Sequence, residues 1–219
     1  MKISKLPTNM DFISPLYRSE DLDVRPQRIM MKAILLILIM LPAFHANCFV
    51  PTEALTFDFN IKTVQMHRTH EEKLQRAVEL LREVFASPEF RKRILKHRYQ
   101  GRLGFYLNRG LSNIDIYHLI LNGTERLYPI SNNAMDVEIE LYADFESRVL
   151  GFTLPRSKRI WMNKKYFLKF SSAEIAANLT HEWLHKLGFD HEKERTGMRL
   201  YSVPYAIGYI VKELAQDLD

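Results

Sequence analysis

The 219-residue chain has little of several things that would otherwise set its class. It contains one cysteine, Cys48, so no disulfide can close within it and no zinc site can be built from several thiolates. Eight glycines and nine prolines exclude a collagen-like or low-complexity chain. Neither charge dominates: 31 Lys+Arg stand against 26 Asp+Glu, and a formal net charge of +5 makes no case for nucleic acid as a partner. No apolar run reaches the roughly 20 residues of a membrane-spanning helix, so no stable membrane span is expected. No internal repeat is present. The length and a 47% hydrophobic content suit one domain with a core and leave little room for a second. Any metal must be held by carboxylates and by the eight histidines.

The one continuous apolar stretch, 33–44, is about 12 residues long. Arg25, Arg28 and Lys32 precede it, and His45, Ala46 and Asn47 follow. A positive segment, a short apolar segment and a small residue at the exit form the secretory signal pattern. Residues 1–48 therefore read as a leader with a signal peptide, its start at Met30 or Met31 giving the compact form, and 49–219 as the domain proper. The expected location is secreted or periplasmic, with a lipoprotein anchored through Cys48 as the alternative.

Beyond the leader, Leu55, Phe57, Phe59 and Ile61 alternate with polar residues, which predicts a strand. Thr69 and Glu72 have the spacing of a capping box, and Leu74, Ala77, Val78, Leu81 and Phe85 form the apolar stripe of the helix behind it. Ser87-Pro88 restarts a helix that runs to about residue 97. Gly101, Gly104, Asn108 and Gly110 make 100–113 irregular. Strands are expected over 114–121, 135–142, 149–154 and 159–162. Ser171 and Glu174 open another helix, which stops at Gly188; a last helix starts after Ser202 with Pro204 in its first turn. The order predicts an α+β domain: a mixed twisted sheet of about five strands covered by helices.

The chemistry sits in His181-Glu182-Trp183-Leu184-His185-Lys186-Leu187-Gly188-Phe189-Asp190-His191. Residues four apart share a helix face, so His181 and His185 can offer two imidazoles to one metal. Zinc takes imidazole nitrogen at about 2.0–2.1 Å and prefers four ligands. Glu182 stands about 100° around the helix from His181, beside the metal rather than on it, where its carboxylate can accept a proton from water. On a continued helix His191 would point elsewhere. A sharp turn at Gly188 brings it back. Three imidazoles plus one open position is the composition of a catalytic zinc site rather than a closed structural one.

This segment resembles the metzincin clan of zinc metallopeptidases, whose His-Glu-x-x-His-x-x-Gly-x-x-His motif it matches at 181–191. Residues 188–195 are particularly similar to the astacin branch, with Gly-Phe-x-His-Glu-x-x-Arg. The resemblance implies a strand, a helix, four further strands, a zinc-binding helix and a short C-terminal helical subdomain. It also implies one catalytic Zn2+ held by His181, His185 and His191, with Glu182 as general base. The family's methionine turn is absent in its usual form: Ser202-Val203-Pro204-Tyr205 stands in its place with proline for methionine, and Met198 is the other methionine near it. Astacins use a tyrosine here as an extra ligand or oxyanion donor. Tyr205 is the first candidate for that role and Tyr201 the second.

The expected function is that of an exported zinc-dependent metalloendopeptidase, hydrolysing peptide bonds with a zinc-activated water. The alternatives are a catalytically silent zinc-binding module and a zinc hydrolase of cell-wall or other non-protein amides. A peptide or protein substrate is expected to lie along the edge strand at 149–154, between Val149 and Leu154, where Gly151 permits close backbone approach. The chain is expected to act as a monomer. Trp161 and Phe189 are expected in the core.

Overall fold

The computed structural model describes residues 56–127 and 129–219; the expected leader, Cys48 and Leu55 lie outside them. In chain order the elements are β1 (Asp58–Val64), α1 (Arg68–Ala86), α2 (Pro88–Lys96), β2 (Arg98–Tyr99), β3 (Arg102–Leu103), α3 (Asn113–Asn122), β4 (Ala134–Tyr142), β5 (Gly151–Thr153), β6 (Arg159–Asn163), α4 (Lys164–Phe167), α5 (Ser172–Lys186), a 3-10 turn (Met198–Tyr201) and α6 (Val203–Gln216). This is an α+β arrangement.

The main sheet has the order β1-β4-β6-β5. Strand β4 runs parallel to both β1 and β6, and β5 runs antiparallel to β6 at the edge. Along β1 and β4, Phe59, Ile61 and Thr63 stand opposite Met135, Val137 and Ile139. With Ile160 and Met162 of β6 this face carries the core, against Leu74, Leu81, Val84 and Phe85 of α1 and Ile175, Leu179 and Trp183 of α5. Side chains of alternate residues point the other way: Asn60, Lys62, Glu138, Glu140, Arg159 and Trp161 are exposed or half-buried. A fully buried Trp, Phe, Leu or Ile contributes about 1.5–3 kcal/mol, so the stripe predicted on α1 and α5 is also the main source of their stability. Helix α6 belongs to the same core through Val203, Ile207 and Val211, packing chiefly on α5 and also on α1 and α2, so it does not form a separate C-terminal subdomain.

Four expectations are corrected. Residues 114–121 are helical. Ser112 accepts from Asp115 N, the Asp115 carboxylate accepts from Ser112 N, and Gly123 ends the helix at φ +62°. Ile116 and Ile120, four apart, are fully buried. The main sheet therefore has four strands, not five, with β2 and β3 forming a separate antiparallel ribbon, β3 inside the segment read as irregular and β2 just before it. Helix α1 is capped by His67, whose side chain accepts from Thr69 N, rather than by Thr69. Trp161 lies on the open face of the sheet, stacked on Phe152 at 5.1 Å between ring centroids, whereas Phe189 is buried as expected. The Ser171–Glu174 capping box on α5 is present in both halves, and Pro204 occupies the first turn of α6.

Candidate metal centre

Helix α5 is capped at both ends. Its capping box fixes the start, worth about 1 kcal/mol, and a Schellman arrangement fixes the end. Gly188 N donates to His185 O at 3.0 Å and Phe189 N to Leu184 O at 3.0 Å. Gly188 adopts φ +94°, and a Cβ there would meet the Arg126 guanidinium, so glycine is required both for the turn and for packing. The turn buries Phe189 and returns His191 to the helix.

The three histidines meet. Their offered nitrogens all lie within 4.8 Å of one another, and His181 Nε2 stands 3.3 Å from His191 Nε2. Ring centroids are 4.9–5.1 Å apart. Each ring is anchored from behind. His185 Nδ1 donates to Phe189 O at 2.7 Å, and His191 Nδ1 donates to Glu192 O at 2.8 Å. His181 bonds to the backbone of Pro204, which has only a carbonyl to offer. A carbonyl only accepts, so the nitrogen facing it carries the hydrogen and the other presents a lone pair. Burial is the first cause holding all three below the ordinary imidazole value, with further lowering from the neighbouring histidines at His181 and His191 and from Arg199 at all three; the backbone bonds oppose it. Neutral imidazoles thus aim lone pairs at one point, an arrangement that could hold a metal ion.

Glu182 is 5% exposed, and among the described residues no donor hydrogen-bonds to its carboxylate. Burial pushes it up to about 8, opposed by the positive charge of Lys186. It faces the edge strand: a Cβ added to Gly151 would lie 3.4 Å from Glu182 Cγ, 3.1 Å from Asn178 Nδ2 and 3.0 Å from Trp161 O. Gly151 therefore packs closely against the β6 backbone and the side chains of α5. One side of β5 pairs with β6, and among the described residues no strand pairs with the other. Val149, Phe152 and Leu154 are exposed along it.

Tyr205 packs its ring against two of the histidines, with centroids 4.5 Å from His181 and 4.9 Å from His191. Burial raises its hydroxyl pKa, opposed by the nearby Arg199. Tyr201 is elsewhere, against Tyr99 at 5.7 Å and partly exposed. Met198 is 41% exposed and forms no floor under the histidines. That floor is the start of α6: Pro204 bonds to His181, and Gly208 packs where a Cβ would lie 3.7 Å from His181 Cβ.

Three site residues escaped the sequence reading. Asn178 and Lys186 lie four residues before and after Glu182, on the same face, and that spacing was the available signal. Lys186 Nζ donates to Thr153 Oγ1, Ser157 O and Arg159 O at 2.5, 2.7 and 3.0 Å, tying the β5–β6 hairpin to α5. Burial pushes it down to about 8, against the pull of Glu125, Glu182 and Glu138. The buried Asn178 Nδ2 has no partner among the described residues. Arg199 carried no local signal. No known protein-family model matches the chain, and no curated protein is similar to it in sequence.

Proposed function

We propose that the chain is a zinc-dependent metalloendopeptidase of metzincin type, exported behind the leader at 1–48. The observation that carries this reading is the convergence of three neutral imidazoles beside a buried carboxyl group. Tetrahedral bonds of about 2.0–2.1 Å place two imidazole nitrogens about 3.3–3.4 Å apart, and His181 and His191 stand at 3.3 Å. Three histidines without a fourth protein ligand leave a position open for chemistry. A silent binding module would have no use for a buried carboxyl group at Glu182.

When bound, the zinc supplies Lewis acidity that polarises a carbonyl and brings the pKa of water towards about 7. The chain's residues do the rest. Glu182 takes a proton onto its carboxylate and returns it to the leaving amine. The Tyr205 hydroxyl donates to the oxygen that gains charge. The free side of β5 holds the peptide extended by main-chain hydrogen bonds, and Gly151 sets that strand against Glu182. The antiparallel edge position of β5, the strand before last, supports the astacin-like substrate placement.

The test is a pair of variants. His185→Ala should lose most of its zinc by elemental analysis. Glu182→Gln should keep one zinc per chain but lose peptide hydrolysis by at least about 10²–10⁴-fold, since an amide cannot act as a base at neutral pH. Near-wild-type turnover in Glu182→Gln would remove it from the mechanism.

A further inference from the structure

His181 and His185 ride on α5, but His191 stands beyond the turn at Gly188, on residues 190–197, which form neither helix nor strand. A ligand on such a segment is only as well placed as the contacts that hold the segment. The His191 ring takes its orientation from the next residue, since Nδ1 donates to Glu192 O at 2.8 Å. Where the imidazole points therefore depends on where the Glu192 peptide is held.

Glu192 is held through both oxygens of its side chain. Oε1 accepts from the Tyr106 hydroxyl at 2.6 Å, and Oε2 accepts from the Thr196 hydroxyl. A hydroxyl donating to a carboxylate over about 2.5–2.7 Å makes a short, charge-assisted bond. The two anchors differ in reach. Thr196 lies four residues further along the same loop and closes the loop on itself. Tyr106 lies 86 residues away in sequence and is itself fixed. Its N donates to Tyr201 O at 2.9 Å, it pairs with Ser202 in a parallel bridge, and its ring centroid lies 5.2 Å from that of Tyr99. Ser202 leads directly into α6, and α6 packs on α5, the helix that bears the other two histidines. We propose that Tyr106 is a positioning residue for the metal centre: acting through the Glu192 carboxylate, it fixes the loop that carries His191 and so sets that imidazole as the third ligand. The proposal rests on the metal-binding part of the reading above, not on peptide hydrolysis. Without the Tyr106 hydroxyl the loop must be ordered when the metal binds, and that ordering is subtracted from the affinity.

The test uses the full chain and zinc, with Tyr106→Phe, Glu192→Ala and the double variant. Zinc affinity is measured by competition with a chromophoric chelator, and melting temperature is measured on the metal-free chain. Tyr106→Phe keeps the ring beside Tyr99 and removes only the hydroxyl. Outer-shell partners of metal ligands contribute about 10–100-fold in affinity, and Tyr106 acts at one remove, so a loss of about tenfold is expected. The metal-free melting temperature should move by no more than about 4 °C. In the Glu192→Ala background the same substitution should change zinc affinity by less than about twofold. If Tyr106→Phe loosens the metal-free fold more than this, the double variant still decides, because positioning through Glu192 predicts no added loss of affinity there. Unchanged affinity in Tyr106→Phe, or losses that multiply across the cycle, would overturn the role of Tyr106 and leave the metal centre standing. A wild-type chain that binds no zinc would overturn both.

Discussion

Glu182 is a carboxyl group taken almost wholly out of water. Burial holds its proton up to about 8, so in the metal-free chain it is an uncharged acid at neutral pH. A cation placed among the histidines would favour the carboxylate and turn the same group into a base. The metal-free state offers a check of sign. A carboxyl whose folded value lies above its unfolded value of 4.5 adds stability below that value, and the stability is lost as pH rises towards 8. The histidines have depressed values and work the other way, losing stability as pH falls below 6.5. They are common to both proteins in a comparison of wild type with Glu182→Gln. The metal-free Gln variant should therefore gain melting temperature relative to wild type as pH rises from about 5 to 8. A constant difference across that range would mean that Glu182 is not buried as described.

At the scale of elements, α5 contributes two faces to the candidate site. His181 and His185 look towards the returning loop and α6; Asn178, Glu182 and Lys186 look towards β5. The first pair was legible in the sequence because metal ligands have a characteristic spacing. The second row has the same spacing of four but was missed beyond Glu182, because a buried lysine and asparagine signal nothing until their partners are known. Gly151 is where the second face meets the sheet. Its φ is ordinary, so crowding alone opposes a side chain there, chiefly the backbone oxygen of Trp161 at 3.0 Å. Gly151→Ala should cost about 1–3 kcal/mol by denaturant unfolding and lower kcat/KM by moving β5 off Glu182. Unchanged stability would show that the strand has room to give. The misreading of α3 has a similar lesson. Ile114 and Ile116 alternate with Asp115 and Tyr117 for four residues, too few to separate strand from helix. The Ser112–Asp115 cap decided the matter, and it was present in the sequence.

At the scale of the whole molecule, among the described residues the sheet has one face packed by helices and the other partly exposed, and the candidate site lies where the antiparallel edge strand meets α5. Most of this was readable, because long periodic segments dictate helices and strands locally. The ribbon of β2 and β3 was not, since two-residue strands have no period; it is held by distant partners, among them Tyr106 OH donating to Glu192 at 2.6 Å and Tyr106 N donating to Tyr201 O at 2.9 Å. That contact ties the ribbon's segment to the loop after His191. No helix among the described residues is long and apolar enough to cross a membrane. The central claim is that the three histidines and Glu182 form a working peptidase centre, and one measurement tests it most directly. A mixed peptide library is incubated with the purified protein, then with the protein stripped by a chelator, then after one equivalent of zinc is restored. Cleavage that is present, lost and recovered in step with one zinc per chain is the expected result. Stoichiometric zinc with no peptide cleaved at any stage would contradict it.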